Sequence, residues 1–187
     1  MNRSVDAEAD GRRRKGEHRR RLLLEATIRV LGHSGAAGVT QRAVAREAGL
    51  PPSAVLYYFA TVESLLLATL TACNDRYIER LEQIGAESES RALELLAAEI
   101  SGDACENRAR LHAEYELFLL AARNHRLRTE LDRWTAALDA LMARYVPEPT
   151  ARAGVTAAVD GLFLRCLCGQ HSTAPEQVRE TLASLLR

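Results

Sequence analysis

Thr40-Gln41-Arg42-Ala43-Val44-Ala45-Arg46-Glu47-Ala48-Gly49-Leu50-Pro51-Pro52-Ser53-Ala54-Val55-Leu56-Tyr57-Tyr58-Phe59 is the stretch whose reading decides the fold. Thr40 stands where an N-cap belongs, its hydroxyl placed to accept from a free amide of the following turn. The short helix it opens puts Val44, Ala45 and Ala48 inward at helical spacing. Gly49 supplies the left-handed residue that stops it. Pro51 and Pro52 suit the first turn of a second helix, where a missing N–H costs nothing. In that helix Val55 and Phe59 lie one turn apart on the buried side. Two short helices joined by a glycine turn have the layout of a helix-turn-helix. Such a motif braces its first helix against a DNA backbone and holds the second by its inner face, leaving the outer face for the major groove. Ser53, Ala54, Tyr57 and Tyr58 are the outward residues. Small side chains permit close approach to base edges, and tyrosine hydroxyls can reach phosphates. Thr40, Gln41, Arg42, Pro52 and Thr61, at the helix ends, complete the candidate contact set.

Upstream, Leu23, Ala26, Val30 and Leu31 make one apolar stripe of a helix that starts near His18 and ends near Gly32 and Gly35. Residues 1–17 are polar, contain Gly11 and Gly16, and read as a flexible basic arm. Its Arg12, Arg13, Arg14 and Lys15, followed by Arg19, Arg20 and Arg21, can lie along phosphates or enter a minor groove, releasing counterions. Charge follows the same division. Residues 1–59 hold 11 Arg/Lys against 6 Asp/Glu, and residues 60–187 hold 14 against 19, although the formal net charge of the chain is zero. A basic front on an acidic body fits one nucleic-acid-binding end.

Downstream, Thr61 caps a long helix with Glu63 in its first turn, where the helix dipole favours an anion. Apolar periodicity predicts helices over about 62–84, 89–101, 105–123, 125–146, 150–169 and 175–186. The most regular carries Leu127, Leu131, Trp134, Leu138, Leu141, Met142 and Tyr145. Sustained alternation and Asn-Gly or Asp-Gly hairpin turns are lacking, which leaves an all-α fold of about nine helices.

Composition excludes several functions. The 187 residues are 47% apolar and 27% charged, as in ordinary soluble proteins. No apolar run approaches the ~20 residues of a membrane span, and the charged segment Arg12–Arg21 stands where a secretory leader needs an apolar core. A cytoplasmic protein with no membrane partner is expected. Cys73, Cys105, Cys166 and Cys168 show no metal-ligand spacing; Cys166 and Cys168, two apart on a helix, point to nearly opposite sides. No metal and no cofactor are assigned. Nucleophile elbow, Walker loop, dinucleotide glycine pattern and H-E-x-x-H are all missing, so an enzyme is not expected.

The run from Thr40 to Phe59, followed by Glu63-Ser64-Leu65-Leu66, resembles the N-terminal signature of the tetracycline-repressor-like (TetR) family of transcriptional regulators. That signature is a Thr opening the second helix, an Ala-Gly-hydrophobic turn, an aromatic-rich recognition helix ending in Phe, then Glu and a Leu pair. The resemblance extends upstream through Leu23, Ala26, Leu31 and Gly35 and covers roughly residues 18–70. Tyr115-Glu116-Leu117, Ala121-Ala122-Arg123 and Asp160-Gly161-Leu162 are also similar to the more variable C-terminal half of the family. Leu56, Tyr58 and Val62 depart from its usual Tyr, His and Lys, and Pro52 and Ser53 from its usual small or basic residue and Gly.

The resemblance implies a DNA-binding domain at 18–61 behind the arm, and a ligand-binding and dimerisation domain at 62–187. It implies a homodimer on a palindromic double-stranded operator. The dimer seam would be the stripe Val155, Ala158, Val159, Leu162 and Cys166 with Val178, Leu182 and Leu185. A small hydrophobic or amphipathic effector would release the DNA from a pocket drawing on Tyr77, His112, Tyr115, Phe118, Trp134, Leu138 and Phe163. An intramolecular core stripe would look the same in sequence as the seam. Two other functions stay open: a DNA-binding regulator without a small-molecule effector, and a helical protein-interaction module.

Overall fold

The computed structural model describes the backbone of residues 3–101, 108–168 and 174–186, and the side chains of these except at 3–10, 12 and 108. Cys105 lies outside the described residues. Among them the chain forms nine α-helices and one 3-10 turn: α1 (Arg3–Ser34), the turn Ala36–Gly38, α2 (Gln41–Ala48), α3 (Pro52–Tyr58), α4 (Val62–Gly85), α5 (Glu89–Ser101), α6 (Arg108–Arg123), α7 (Arg128–Met142), α8 (Pro149–Cys168) and α9 (Pro175–Leu185). The all-α expectation holds. Two compact units, Met1–Ala72 and Cys73–Arg187, meet within α4, eleven residues beyond the boundary expected at 61/62.

Local chemistry sets the ends of α2 to α4. Thr40 Oγ1 accepts the Ala43 N–H at 3.1 Å. Gly49, at φ 65° and ψ 30°, lets the chain leave α2 in a Schellman turn, with Leu50 N–H donating to Ala45 O at 2.9 Å and Gly49 N–H to Arg46 O at 3.2 Å. Pro52 occupies the first turn of α3. At α4, Thr61 and Ser64 cap each other: Ser64 N–H donates to Thr61 Oγ1 at 3.0 Å, and Thr61 N–H donates to Ser64 Oγ at 3.2 Å.

The first correction concerns residues 3–17. They continue α1 as helix, fifteen residues before the expected start at His18. Extending a helix that is already nucleated adds one hydrogen bond per residue without a new nucleation cost. Ala7, Glu8, Ala9, Arg12–Lys15 and Glu17 are good helix formers, and Arg13 pairs with Glu17 one turn on, at 3.3 Å. Against these, Gly11 and Gly16 cost only about 1 kcal/mol each.

In the first unit α1 packs on α2 and α2 on α3. Leu23, Ala26, Val30, Leu31, Val44, Ala45, Val55, Phe59 and Leu65 are buried. Arg29 Nε donates to Glu47 Oε1 at 2.6 Å, an exposed tie between α1 and α2.

In the second unit α5 packs on α8 and α9, and α7 on α6 and α8. One core joins Tyr77, Leu81 and Ile84 of α4 to Leu96 and Ile100 of α5, Leu138 and Met142 of α7, Val155, Val159, Phe163 and Cys166 of α8, and Val178 and Leu182 of α9. Here lies the second correction. Five of the residues expected at a dimer seam, Val155, Val159, Cys166, Val178 and Leu182, are buried inside the chain's own core. Ala158 and Leu162 are half-buried, and Leu185 is exposed. A helical stripe reports only that something covers it, and here α5, α7 and the α8–α9 pair cover it themselves.

Glu148 opens α8 by accepting the N–H groups of Thr150 at 2.9 Å and Ala151 at 2.6 Å. The Ala151 bond first, then that from Thr150, holds its carboxyl below the ordinary glutamate range. A folded-state pKa lowered in this way stabilises the protein above the unfolded value, and that stabilisation is lost as pH falls through the folded one. Glu148→Gln should therefore lower the thermal midpoint at neutral pH by an amount that shrinks in acid below about pH 4. A constant difference across that range, in paired melting curves, would count against the charged cap.

Candidate nucleic-acid and effector sites

The first candidate site is the outer face of α3. Val55 (0% exposed) and Phe59 (4%) fix its inner face in the core. The side turned to solvent carries Pro52, Ser53, Leu56 and Tyr57, with Ala54 half-buried. Tyr57 is 82% exposed, with an aromatic ring that no core requires. Flanking it, Thr40, Arg42 and Thr61 are exposed as expected, although the two threonine hydroxyls also accept the cap N–H groups described above. Arg13, Arg14 and Lys15 are exposed on α1; Arg12 lies outside the described side chains.

Three expected contacts take other positions. Tyr58 is half-buried: its hydroxyl lies 3.6 Å from where a Cβ on Gly16 would be, and its ring meets that of Tyr57 edge-on at 4.9 Å. Gln41 is also half-buried. Its amide donates to Phe59 O at 3.3 Å and Ala60 O at 3.4 Å, tying the start of α2 to the end of α3. It sets the inclination of α3 rather than facing outward. The basic arm, being helix, cannot enter a minor groove about 6 Å wide, because an α-helix is ~10–12 Å across. Sequence reasoning set Arg20 among the phosphate-facing residues and missed that its guanidinium sits 5.6 Å from the centroid of the Phe59 ring; Leu56, noted there only as a departure from the family pattern, is 53% exposed on the outer face.

The second candidate site is an aromatic cluster within the second unit. Tyr77 and Trp134 stack at 3.5 Å with 9° between planes. Phe118 meets Trp134 edge-on at 4.6 Å, Tyr115 meets Phe118 at 6.3 Å, and Phe163 meets Tyr77 at 6.4 Å. Tyr77 of α4, Tyr115 and Phe118 of α6, Trp134 of α7 and Phe163 of α8 thus come together. Leu138 lies fully buried in the adjoining core. His112 is exposed on α6 and joins none of the ring contacts. A buried polar tie positions Trp134: Asn74 Nδ2 donates to Glu130 O at 2.7 Å and to Glu130 Oε2 at 2.9 Å. Arg133 spans Glu130 at 2.8 Å and Asp75 at 2.6 Å. With α7 pinned to the second half of α4 in this way, Trp134 lies over Tyr77.

Polar groups surround the rings. Asp160, the only acid in α8, is exposed to solvent; partial desolvation raises its carboxyl above the ordinary range, and a hydrogen bond from the Trp134 side chain offsets part of that. Burial raises the Tyr77 hydroxyl first, and the negative charges of Asp160 and Glu99 add to it; burial, then Asp160, does the same for Tyr115. Glu114 is pushed up by desolvation and partly restored by Arg110, which donates to it at 3.1 Å. The hydroxyls of Tyr77 and Thr156 are buried without a hydrogen-bond partner. A groove of about 410 Å³ lies elsewhere, along Ile78, Leu81, Ala137, Leu141 and Arg144, and none of the seven expected effector residues lines it. Asp160 had a signal in the sequence, a lone acid in an apolar helix, but only the fold shows which rings it faces.

Comparison with known proteins follows the same division of the chain. The family model for bacterial regulatory proteins of the tetR family matches residues 23–69. The model for tetracyclin repressor-like C-terminal domains matches residues 87–187. The HTH-type transcriptional regulator BetI of Rhizobium meliloti (strain 1021) is 42% identical over 52 residues, 28% of this chain and 26% of its own length. The matched segment thus spans about a quarter of that curated relative. A TetR-family member from Streptomyces coelicolor A3 has a similar structure, with TM-score 0.74 and 31% identity over 90% of this chain and 98% of that one. The multidrug binding protein EbrR, in complex with ethidium, is similar with TM-score 0.70 and 32% identity over 89% of this chain and 97% of its own. EbrR has also been solved with malachite green and with proflavin.

Proposed function

Because this chain belongs to the TetR family of bacterial regulatory proteins, we propose that it is a cytoplasmic, sequence-specific DNA-binding regulator, a repressor that a small-molecule effector releases from a palindromic operator. The observation that carries the reading is the two-sided build of α3. Val55 and Phe59 hold its inner face rigidly, while Ser53, Leu56 and the almost fully exposed Tyr57 stand free. A helix fixed from behind and open in front meets the requirement for major-groove readout. Arg42 and the basic turns of α1 supply the phosphate contacts beside it.

Two half-sites require two copies of α3 related by a two-fold axis. With the inner stripe of α8 used up in the core, the pairing surface is its opposite side. Thr150, Gly154, Ala157, Gly161, Leu164 and Cys168 recur at alternating spacings of four and three, and all but the half-buried Gly161 are exposed. That is a heptad seam of mostly small residues on which a second α8 can lie closely. Exposed Leu185 of α9 extends it.

The effector site is the aromatic cluster of the second unit, which offers large apolar rings beside a few polar groups. EbrR, with similar architecture, binds aromatic dyes, which supports a small-molecule ligand here. The effector acts by binding the DNA-incompetent arrangement more tightly than the competent one.

A salt-dependent gel shift on the DNA flanking the gene tests the reading: specific retardation abolished by an aromatic small molecule is expected. Absence of specific binding would leave only a helical interaction module. The basic end of α1 has its own test. Deleting residues 1–16 should weaken operator binding and flatten the slope of log affinity against log salt by about 0.9 for each phosphate that is no longer neutralised. An unchanged slope in the same titration would make this segment a bystander.

A further inference from the structure

We infer that Leu56 is the specificity-determining residue of α3 and reads the C5-methyl group of a thymine in the major groove, one in each half-site. The inference rests on the DNA-reading role of α3 and adds to it the base, and the atom of that base, that is read.

The case begins with what the outer face lacks. Side chains tell bases apart in the major groove by four kinds of contact: Arg or Lys on guanine, Asn or Gln on adenine, Asp or Glu on cytosine, and an apolar group on the thymine methyl. Helix α3, Pro52-Ser53-Ala54-Val55-Leu56-Tyr57-Tyr58, holds no charged and no amide side chain. The first three contacts are therefore closed to it. The one amide that reaches its end, that of Gln41, donates to Phe59 O at 3.3 Å and Ala60 O at 3.4 Å instead. Arg42 and Arg46 stand on α2, the helix that crosses the backbone in this motif. The hydroxyls of Ser53 and Tyr57 both donate and accept, so they suit more than one base. Discrimination falls to the apolar contact.

Position decides which apolar group makes it. Pro52, Ser53, Leu56 and Tyr57 are all exposed and fall at the three- and four-residue spacings of one helix face. A lone exposed leucine is commonplace on a protein surface. Leu56 gains its meaning from standing on this face, one turn beyond both Pro52 and Ser53. At 53% exposure, part of its side chain rests on the protein and the remainder is open to a partner. The helix behind it is fixed by buried Val55 and Phe59, and Phe59 N–H donates to Val55 O at 2.8 Å. Tyr57, braced edge-on by the Tyr58 ring at 4.9 Å, ends in a hydroxyl suited to a phosphate. Leu56 has no polar atom. Against the amine of cytosine or the carbonyl of guanine it would strip water from a polar group and offer nothing in return. Against a methyl group both surfaces leave water favourably.

The test uses the full-length chain and the duplexes it selects from a random-sequence DNA library. In a selected duplex each thymine is replaced singly by deoxyuridine, which keeps every hydrogen-bonding group and removes only the methyl. One thymine in each half-site is expected to respond, with Kd rising about fourfold per methyl lost and about fifteenfold when both half-sites are changed. A C·G pair at that position should bind more weakly than T·A. There 5-methylcytosine, which carries the same methyl, should recover about fourfold over cytosine. Leu56→Ala, at an exposed position, should leave the thermal midpoint unchanged and bind the thymine and deoxyuridine duplexes equally, because its side chain stops short of the base. Leu56→Met, which keeps the reach, should keep the difference. Selected duplexes in which no thymine responds to deoxyuridine, or a response that Leu56→Ala retains, overturn the inference and leave the DNA-reading role of α3 standing. Failure to select any sequence ends both.

Discussion

Arginine at position 161 should turn the protein into a folded monomer whose operator affinity falls by at least about a hundredfold. Gly161 lies mid-helix on the outer side of α8, and a Cβ there meets no atom within 4 Å. Within one chain the substitution Gly161→Arg is therefore harmless. It even removes a mid-helix glycine, which costs about 1 kcal/mol against a good helix former. Between two chains it is severe. A close seam of Gly154, Ala157 and Gly161 brings helix axes near each other, and two opposed guanidinium groups at that distance both clash and repel. Since each half-site contributes only part of the binding free energy, separating the copies forfeits the gain from linked binding, which reaches about 10²–10⁴-fold. Sedimentation or light scattering reads the oligomeric state, and circular dichroism confirms the helix content. A dimeric Gly161→Arg protein would refute the outer face of α8 as the seam.

Phe59→Ala should abolish operator binding by unfolding the first unit, whereas Tyr57→Ala, two residues away, should weaken binding with no loss of stability. Phe59 is 4% exposed and Val55 beneath it 0%. Phe-to-Ala truncation in a packed core costs about 3–5 kcal/mol, a large part of the ~5–15 kcal/mol of a whole domain. Phe59 also carries the Arg20 cation contact, and its carbonyl is one of the two that Gln41 holds. Truncation removes the ring and its Arg20 contact and leaves a cavity under the C-terminal end of α3, while the Gln41 bond to the backbone carbonyl remains. Tyr57, 82% exposed, contributes little to folding, so its removal should shift stability by no more than about 0.5 kcal/mol. Its effect belongs to the DNA, about tenfold or more if its ring or hydroxyl lies at the groove. Thermal melts of both variants beside gel shifts separate the cases. Equal melting of the two proteins would mean that the inner and outer faces of α3 had been exchanged.

The helix-turn-helix is legible in the sequence because its signals are local. Thr40 caps the turn that follows it, Gly49 adopts the conformation glycine adopts most cheaply, and Val55 and Phe59 are spaced by the helix itself. The aromatic residues are legible as a group: too few exist for five to gather by accident, though nothing in their order gives the Tyr77–Trp134 stack. Residues 3–17 read as coil because composition weighs glycine and charge above the ease of extending an existing helix. Tyr58 and Gln41 read as outward residues because exposure on a two-turn helix depends on what packs beside it, here the Gly16 turn of α1 and the end of α3.

By itself the sequence determined the helical class, the capped and glycine-stopped motif, the inner anchors of α3 and the likeness to one regulator family, since all of these depend on interactions within a few residues. Only the tertiary structure decided that the apolar stripes of α8 and α9 fill the chain's own core, that Tyr77 and Trp134 stack face to face, and that the small-residue side of α8 is left open. Those facts depend on which helix covers which face. Helical periodicity marks a face as buried or exposed without recording what lies across from it.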